Sequence, residues 1–117
     1  MAQSIIGDKS LAFAKRIAKC YRFLKDKKDE TVMSKQLLRC GTSIGANVRE
    51  GQYAQSKKDF ISKMNISLKE AGETDYWLDV IHSAGYFTDD EYTSLDADNK
   101  ELIRMLASIV KTSKEKE

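Results

Sequence analysis

The chain has 117 residues, of which 41% are hydrophobic and none is proline, so it can bury one core and lacks the commonest helix breaker. Its 20 basic and 18 acidic residues give a net charge of +2, which does not by itself require a polyanionic partner. No apolar run approaches the roughly 20 residues that cross a bilayer, and no secretory signal is apparent. We expect one all-α, cytoplasmic domain over residues 1–117, without a membrane partner.

Charge is unevenly distributed along the chain. Residues 1–28 contain eight Lys and Arg against two Asp, a charge of +6. Residues 85–117 contain five basic and eight acidic groups, a charge of −3. The two ends are therefore electrostatic opposites, and the basic end is where a polyanion would bind.

The first predicted helix spans about residues 10–27. Its apolar positions are Leu11, Phe13, Ala14, Ile17, Ala18, Cys20, Tyr21 and Leu24, which cover about half the circumference. The remaining arc carries a basic stripe, defined as Lys15, Arg16, Lys19 and Arg22. This stripe is the candidate nucleic-acid surface, and the alternative is a solvated face that only keeps the protein soluble.

The second predicted helix spans about residues 31–54. Its core positions are Met33, Leu37, Cys40, Ile44 and Val48. A polar face, defined as Arg39, Ser43, Asn47 and Glu50, follows intervals of four, four and three residues. Gly41 and Gly45 lie beside the core positions, and because each glycine costs a helix interior about 0.8–1 kcal/mol, we expect another helix to approach there.

The third and fourth predicted helices span about residues 57–84 and 89–113. Ser56 can cap the third helix, and Thr88 with Glu91 forms a capping box that starts the fourth. Four helices with short turns favour an up-down-up-down antiparallel bundle. Cys20 and Cys40 occupy apolar helical positions and are interpreted as small core residues.

Two segments, RCGTSIGANVREG and KEAGETDYWL, resemble the bacterial four-helix-bundle family of proteins encoded within intervening sequences of 23S rRNA genes. The resemblance extends less specifically over nearly the whole chain. It implies antiparallel helices assembled as a ring-shaped homopentamer, with a role linked to nucleic acid. A similar fold serves as the accessory variability determinant protein of diversity-generating retroelements, where a basic ring binds nucleic acid and a reverse transcriptase.

The residues give little support for catalysis. The sequence contains no glycine-rich phosphate loop, HExxH, CxxC pair or GxSxG elbow, and the only histidine, His82, has no partner that would suggest a metal site. Glu70 and Glu73 lie about 60° apart on an outward side of their helix, so we expect them to pair with a basic side chain of another helix or subunit. We predict a non-enzyme without metal or cofactor.

The favoured hypothesis is an oligomer that binds RNA or DNA through the phosphate backbone, with the basic stripe making the contacts. The alternative is a protein-interaction scaffold, for example for a reverse transcriptase, which would use the polar face together with Glu70 and Glu73. Trp77 is assigned to subunit assembly, with Gly41, Gly45 and Tyr76 as weaker candidates for the same interface. A basic helix lying on a membrane is disfavoured, because the bundle already requires its apolar side.

Overall fold

The computed structural model describes residues 4–116, and residues 1–3 and 117 of the expected domain lie outside this range. It contains four helices and, within the described residues, no strand. The helices are α1 (Ile5–Lys28), α2 (Val32–Gln52), α3 (Lys57–Ser83) and α4 (Asp89–Glu115). The all-α, four-helix prediction is confirmed.

The helix ends follow local capping chemistry. The capping box of Thr88 and Glu91 is present, and Ser56 Oγ accepts from the backbone N–H of Asp59 at the start of α3. The predicted start of α1 near residue 10 is wrong, because Ser4 Oγ accepts from the backbone N–H of Gly7 and so begins the helix at Ile5. At the other end of the chain, α4 continues two residues beyond the expected residue 113.

The carboxylate of Glu30, just before the first residue of α2, caps this helix. One of its carboxylate oxygens accepts from the N–H groups of Val32 and Met33, each at 3.0 Å, and the other accepts from Ser34 at 2.8 Å. Burial alone would raise the pKa of Glu30, but these backbone hydrogen bonds hold that pKa below its ordinary value. The buried carboxylate is therefore stabilised in its charged form by the start of the helix.

The core is a continuous apolar cluster shared by all four helices. Its residues with no measurable exposure include Ile17, Leu24, Ile44, Leu78, Ile81 and Leu106. Two buried side chains join neighbouring helices through backbone carbonyls: Ser67 donates to Ile44 O at 2.8 Å and Asn99 donates to Ala71 O at 2.9 Å. These bonds fix the registers of α3 against α2 and of α4 against α3.

The packing is uneven around the bundle. Consecutive helices contact each other extensively, whereas α4 contacts α1 over a much smaller area. Lys9 Nζ lies 3.1 Å from a carboxylate oxygen of Glu101, and Arg16 reaches Asp98 at 2.7 Å, so long charged side chains bridge α1 and α4. The seam between α1 and α4 is therefore the open one, and it borders the basic stripe.

Candidate nucleic-acid interface

Three of the four basic-stripe residues form an exposed line of positive charge on α1. Lys15, Lys19 and Arg22 are all exposed, and none of them makes an ion pair with a residue in the range 4–116. They are separated by four and three residues, so the line extends about 10.5 Å along the helix axis. One strand of a duplex presents a phosphate about every 3.4 Å of axis, which allows about three contacts over this length.

Arg16, the fourth residue of the stripe, is used within the chain. Its guanidinium donates to Asp98 at 2.7 Å, to Ser94 Oγ at 2.7 Å and to the backbone carbonyl of Ser94 at 3.2 Å. Arg16 was placed on the outward basic arc of the first helix, but in the structure it faces α4 across the open seam. Its structural role is to hold α4 against α1.

Leu11 and Ala18 lie at the edge of the apolar side of α1. Both were counted among the apolar positions that cover about half of the first helix, and both are exposed. The limited contact between α1 and α4 explains this, since α1 buries only the narrower side that faces α2 and the core. The exposed surface around the basic stripe therefore contains apolar groups as well as cations.

A cleft opens between α1 and α4 beside the basic stripe, with a volume of about 250 Å³. We define this α1–α4 cleft by its lining residues, which are Arg16, Lys19, Cys20, Phe23, Phe87, Glu91 and Leu95. Burial, reinforced by the negative charge of Glu91, raises the pKa of the Cys20 thiol to about 11. The thiol is neutral at pH 7, so most of the wall between the charged rim residues is apolar.

Phe23 is a site residue that the sequence interpretation missed. Its ring is 39% exposed, and Lys28 Nζ lies 5.9 Å from the ring centroid, near the outer limit of a cation–π contact. The signal in the sequence was an aromatic residue next to Arg22 and four residues after Lys19. Because Phe23 lies outside the apolar side of the predicted helix, helical spacing assigns no role to this single aromatic among cations.

The predicted pairing of Glu70 and Glu73 with a basic residue of another helix is confirmed. Arg39 of α2 contacts Glu70 at 3.3 Å and also donates to Glu73. The hydrogen bond from Arg39 and its positive charge lower the pKa of Glu73, and a smaller contribution comes from Trp77. Because the Glu70 and Glu73 carboxylates neutralise the positive charge of the Arg39 guanidinium, this part of the α2 and α3 surface offers little positive charge to a phosphate.

The other polar-face residues bond mainly to their own helix or its neighbour. Ser43 Oγ donates to the carbonyl of Arg39 at 2.6 Å, and Asn47 Nδ2 donates to the carbonyl of Ser43 at 2.8 Å. Glu50 lies 3.1 Å from Lys63 Nζ of α3. The polar face is thus a band of mixed charge along α2 and α3.

The two aromatics of α3 have different environments. Trp77 is partly buried against the core of its own chain and meets Tyr76 edge-on, with centroids 5.0 Å apart. Trp77 was assigned to subunit assembly, and the structure shows part of its surface already buried within its own chain, because α3 packs between α2 and α4. Tyr76 remains 59% exposed, on the same helix as Glu73.

Gly41 and Gly45 permit the close approach that their positions predicted, and the approaching helix is α1. A Cβ atom at Gly45 would lie 3.1 Å from the carbonyl oxygen of Ser10, and one at Gly41 would lie 3.0 Å from the Ile17 side chain. These contacts lie within one chain, so the glycines need no partner subunit to account for them.

A larger groove, of about 700 Å³, runs between the first half of α1 and the second half of α2. Small residues line much of it, and Asp8, Arg49 and Glu50 give it mixed charge. Two carboxylates against one guanidinium make this groove less suited to a polyanion than the α1 surface.

The remaining chemistry of the described chain is limited. Residues 4–116 contain no cluster of three or more potential metal ligands. His82 Nε2 lies 2.7 Å from a carboxylate oxygen of Asp89, and its ring stacks on Tyr92 with centroids 4.2 Å apart. This arrangement joins the end of α3 to the start of α4. None of the four described helices is long and apolar enough to cross a membrane.

Comparison with known proteins places this geometry in a family. The sequence model of the 23S rRNA-intervening sequence protein family matches residues 2–108. The chain belongs to this family. A solved structure of a family relative, a protein of unknown function from the S23 ribosomal protein family of Bacteroides thetaiotaomicron, is 52% identical and superposes with a TM-score of 0.90. The match covers 92% of this chain and 99% of that one, and no curated protein matches.

Proposed function

We propose that this family member is a non-enzymatic, oligomeric protein that binds the phosphate backbone of RNA or DNA through the basic stripe of α1. The observation that carries the proposal is the exposed line of Lys15, Lys19 and Arg22, whose charges no carboxylate of the described chain neutralises. By contrast, cations that do form ion pairs between helices, such as Arg39 and Lys100, hold those helices together. Family membership supports a link to ribosomal RNA genes without specifying a ligand.

The proposal includes the antiparallel up-down-up-down order and a homopentamer. Support for the order comes from contacts that run in opposite directions along neighbouring helices: Lys9 pairs with Glu101, whereas Arg16 pairs with Asp98. Assembly as a ring would strengthen the proposed binding. About three phosphate contacts per chain give weak binding, and repetition around a ring would raise the effective concentration of cations near one nucleic acid.

The mechanism is electrostatic and independent of base sequence. Each phosphate neutralised on a duplex contributes about −0.9 to the slope of log K against log salt. Three contacts per engaged chain therefore give a slope of about −2.7, or about a 40-fold loss of affinity between 50 and 200 mM salt. Contacts to phosphate position a protein on nucleic acid but do not read bases, so duplexes of different sequence should bind alike.

The test compares two triple variants of equal charge. Lys15→Gln, Lys19→Gln and Arg22→Gln together remove the exposed line, while Lys35→Gln, Lys69→Gln and Lys111→Gln remove three exposed cations from the other helices. Fluorescence anisotropy of a labelled RNA duplex is measured from 50 to 200 mM salt. We expect the first variant to lose affinity and salt slope and the second to keep most of both. Equal losses in the two variants would mean that only net charge matters, and the stripe assignment would be wrong.

A second candidate function is favoured by the mixed-charge band on α2 and α3. Arg39 with Glu70 and Glu73, next to the exposed Tyr76, forms a surface of the kind found at protein interfaces. On this hypothesis a protein partner binds there. Arg39→Ala with Asn47→Ala would abolish capture of that partner, while the stripe variant would retain it. The reverse pattern would exclude the band as the partner site.

A further inference from the structure

The three exposed aromatic rings of the described chain lie in different electrostatic surroundings. Tyr76 stands beside Glu73, and Tyr53 lines the groove of mixed charge between α1 and α2. Phe23 is the ring that stands among cations, with Arg22 adjacent in sequence, Lys19 in the same cleft and Lys28 at 5.9 Å. Aromatic rings beside a basic track are the usual elements of single-strand recognition, because every base has a face that can stack.

We propose that the α1–α4 cleft binds an unstacked base of a single-stranded nucleic acid, with Phe23 as the stacking ring. The proposal rests on the function proposed above and adds the class of nucleic acid. The cleft is about 250 Å³, and its inner wall is formed by apolar atoms of Cys20, Phe87 and Leu95. The flat, apolar face of a base fits such a wall, whereas a duplex keeps its bases stacked inside and meets α1 only with phosphates.

The charges around the cleft orient the nucleotide. Lys19 lines the cleft on the side of the basic stripe, and Lys28 Nζ lies 5.9 Å from the Phe23 ring centroid. A base stacked on the cleft side of this ring would therefore have cations near its phosphate. Glu91 lies on the α4 side, where one of its carboxylate oxygens already accepts from the Thr88 N–H at 2.8 Å. The second oxygen can accept from an exocyclic amino group, which places the base edge towards α4 and the phosphate towards α1.

The experiment measures binding of one labelled 12-nucleotide RNA strand and of its duplex at 50 mM salt. Phe23→Ala removes the ring, and Phe23→Leu removes stacking but keeps apolar volume in case alanine disturbs the fold. Phe23→Trp should restore the stacking surface. Tyr53→Ala is the matched control, because it removes a ring that is 82% exposed on another part of the molecule.

We expect Phe23→Ala and Phe23→Leu to weaken single-strand binding by about 5- to 150-fold, the loss of one base–aromatic stack. Duplex affinity and the salt slope should stay the same, Phe23→Trp should bind the single strand like the unaltered protein, and Tyr53→Ala should have no effect. Equal loss for strand and duplex, or no loss for either, would overturn the stacking proposal while leaving phosphate binding intact. Failure of the unaltered protein to bind either ligand would refute the proposed function and the stacking proposal with it.

Discussion

Gly72→Ala should stabilise the protein by about 0.8–1 kcal/mol, although most substitutions destabilise. Gly72 is exposed in the interior of α3, and a Cβ atom built there meets no atom within 4 Å. The full gain in helical propensity is therefore available, without any steric cost. For 117 residues the entropy of unfolding is about 0.25 kcal/mol/K, so a gain of this size raises Tm by about 4 °C.

Gly45→Ala is the control, since it offers the same propensity gain at a crowded site. Its Cβ would lie 3.1 Å from the Ser10 carbonyl oxygen, and that backbone atom can move only if α1 shifts. Overpacking of this kind costs about 1–3 kcal/mol, so we expect no gain or a net loss. Thermal melts followed by circular dichroism at one protein concentration measure both variants. A lower Tm for Gly72→Ala would show that the helix surface at Gly72 is covered, for example by another subunit, and that the space for a Cβ atom there is not free.

Three further predictions concern buried or paired polar groups. Glu30→Gln should lower the free energy of unfolding by about 1–2 kcal/mol, because it weakens the cap of α2. Folding lowers the pKa of Glu30, so the stability that its carboxylate contributes is complete above about pH 4.5 and is lost as the pH falls through the folded-state pKa. The urea midpoints of the two proteins should therefore converge in acid, and a difference that stays constant with pH would contradict this. Asn99→Leu should be at least as stable as the unaltered protein in urea, since Asn99 Oδ1 is buried without a hydrogen-bond donor among residues 4–116. A decrease of more than about 1.5 kcal/mol in the free energy of unfolding would show that the hydrogen bond from Asn99 to Ala71 O outweighs the cost of burying that oxygen. Arg39→Gln removes the ion pairs with Glu70 and Glu73, and because Arg39 is half exposed we expect the free energy of unfolding to fall by less than about 1 kcal/mol. A drop in Tm of more than about 4 °C would show that these pairs contribute more than surface ion pairs do.

The fold could be predicted from sequence because its signals are local. Apolar spacing identified four helices, and the capping residues Ser56 and Thr88 located the starts of α3 and α4. Glu30 was missed as a cap because a glutamate before the helix is not a preferred capping residue, and its role depends on a turn in which Asp29 adopts a left-handed conformation. That conformation cannot be read from a pattern of residue types.

The site was predicted less completely because it depends on how helices meet. The basic stripe is local to one helix, so Lys15, Lys19 and Arg22 could be found from spacing alone. Arg16 lies on the same helix but faces α4, and its partner Asp98 is 82 residues away in sequence. The role of Phe23 depends in the same way on the open seam between α1 and α4, which no periodicity in either helix reveals.

Light scattering coupled to size exclusion, with and without a short RNA duplex, tests the central claim that an oligomer binds phosphate through its α1 surfaces. We expect a particle of about five times the 13.3 kDa chain mass. This particle should gain nucleic-acid mass at 50 mM salt and lose most of it at 200 mM. A monomer, or an oligomer whose mass is unchanged by RNA at both salt concentrations, would show that phosphate binding by an assembled ring is wrong.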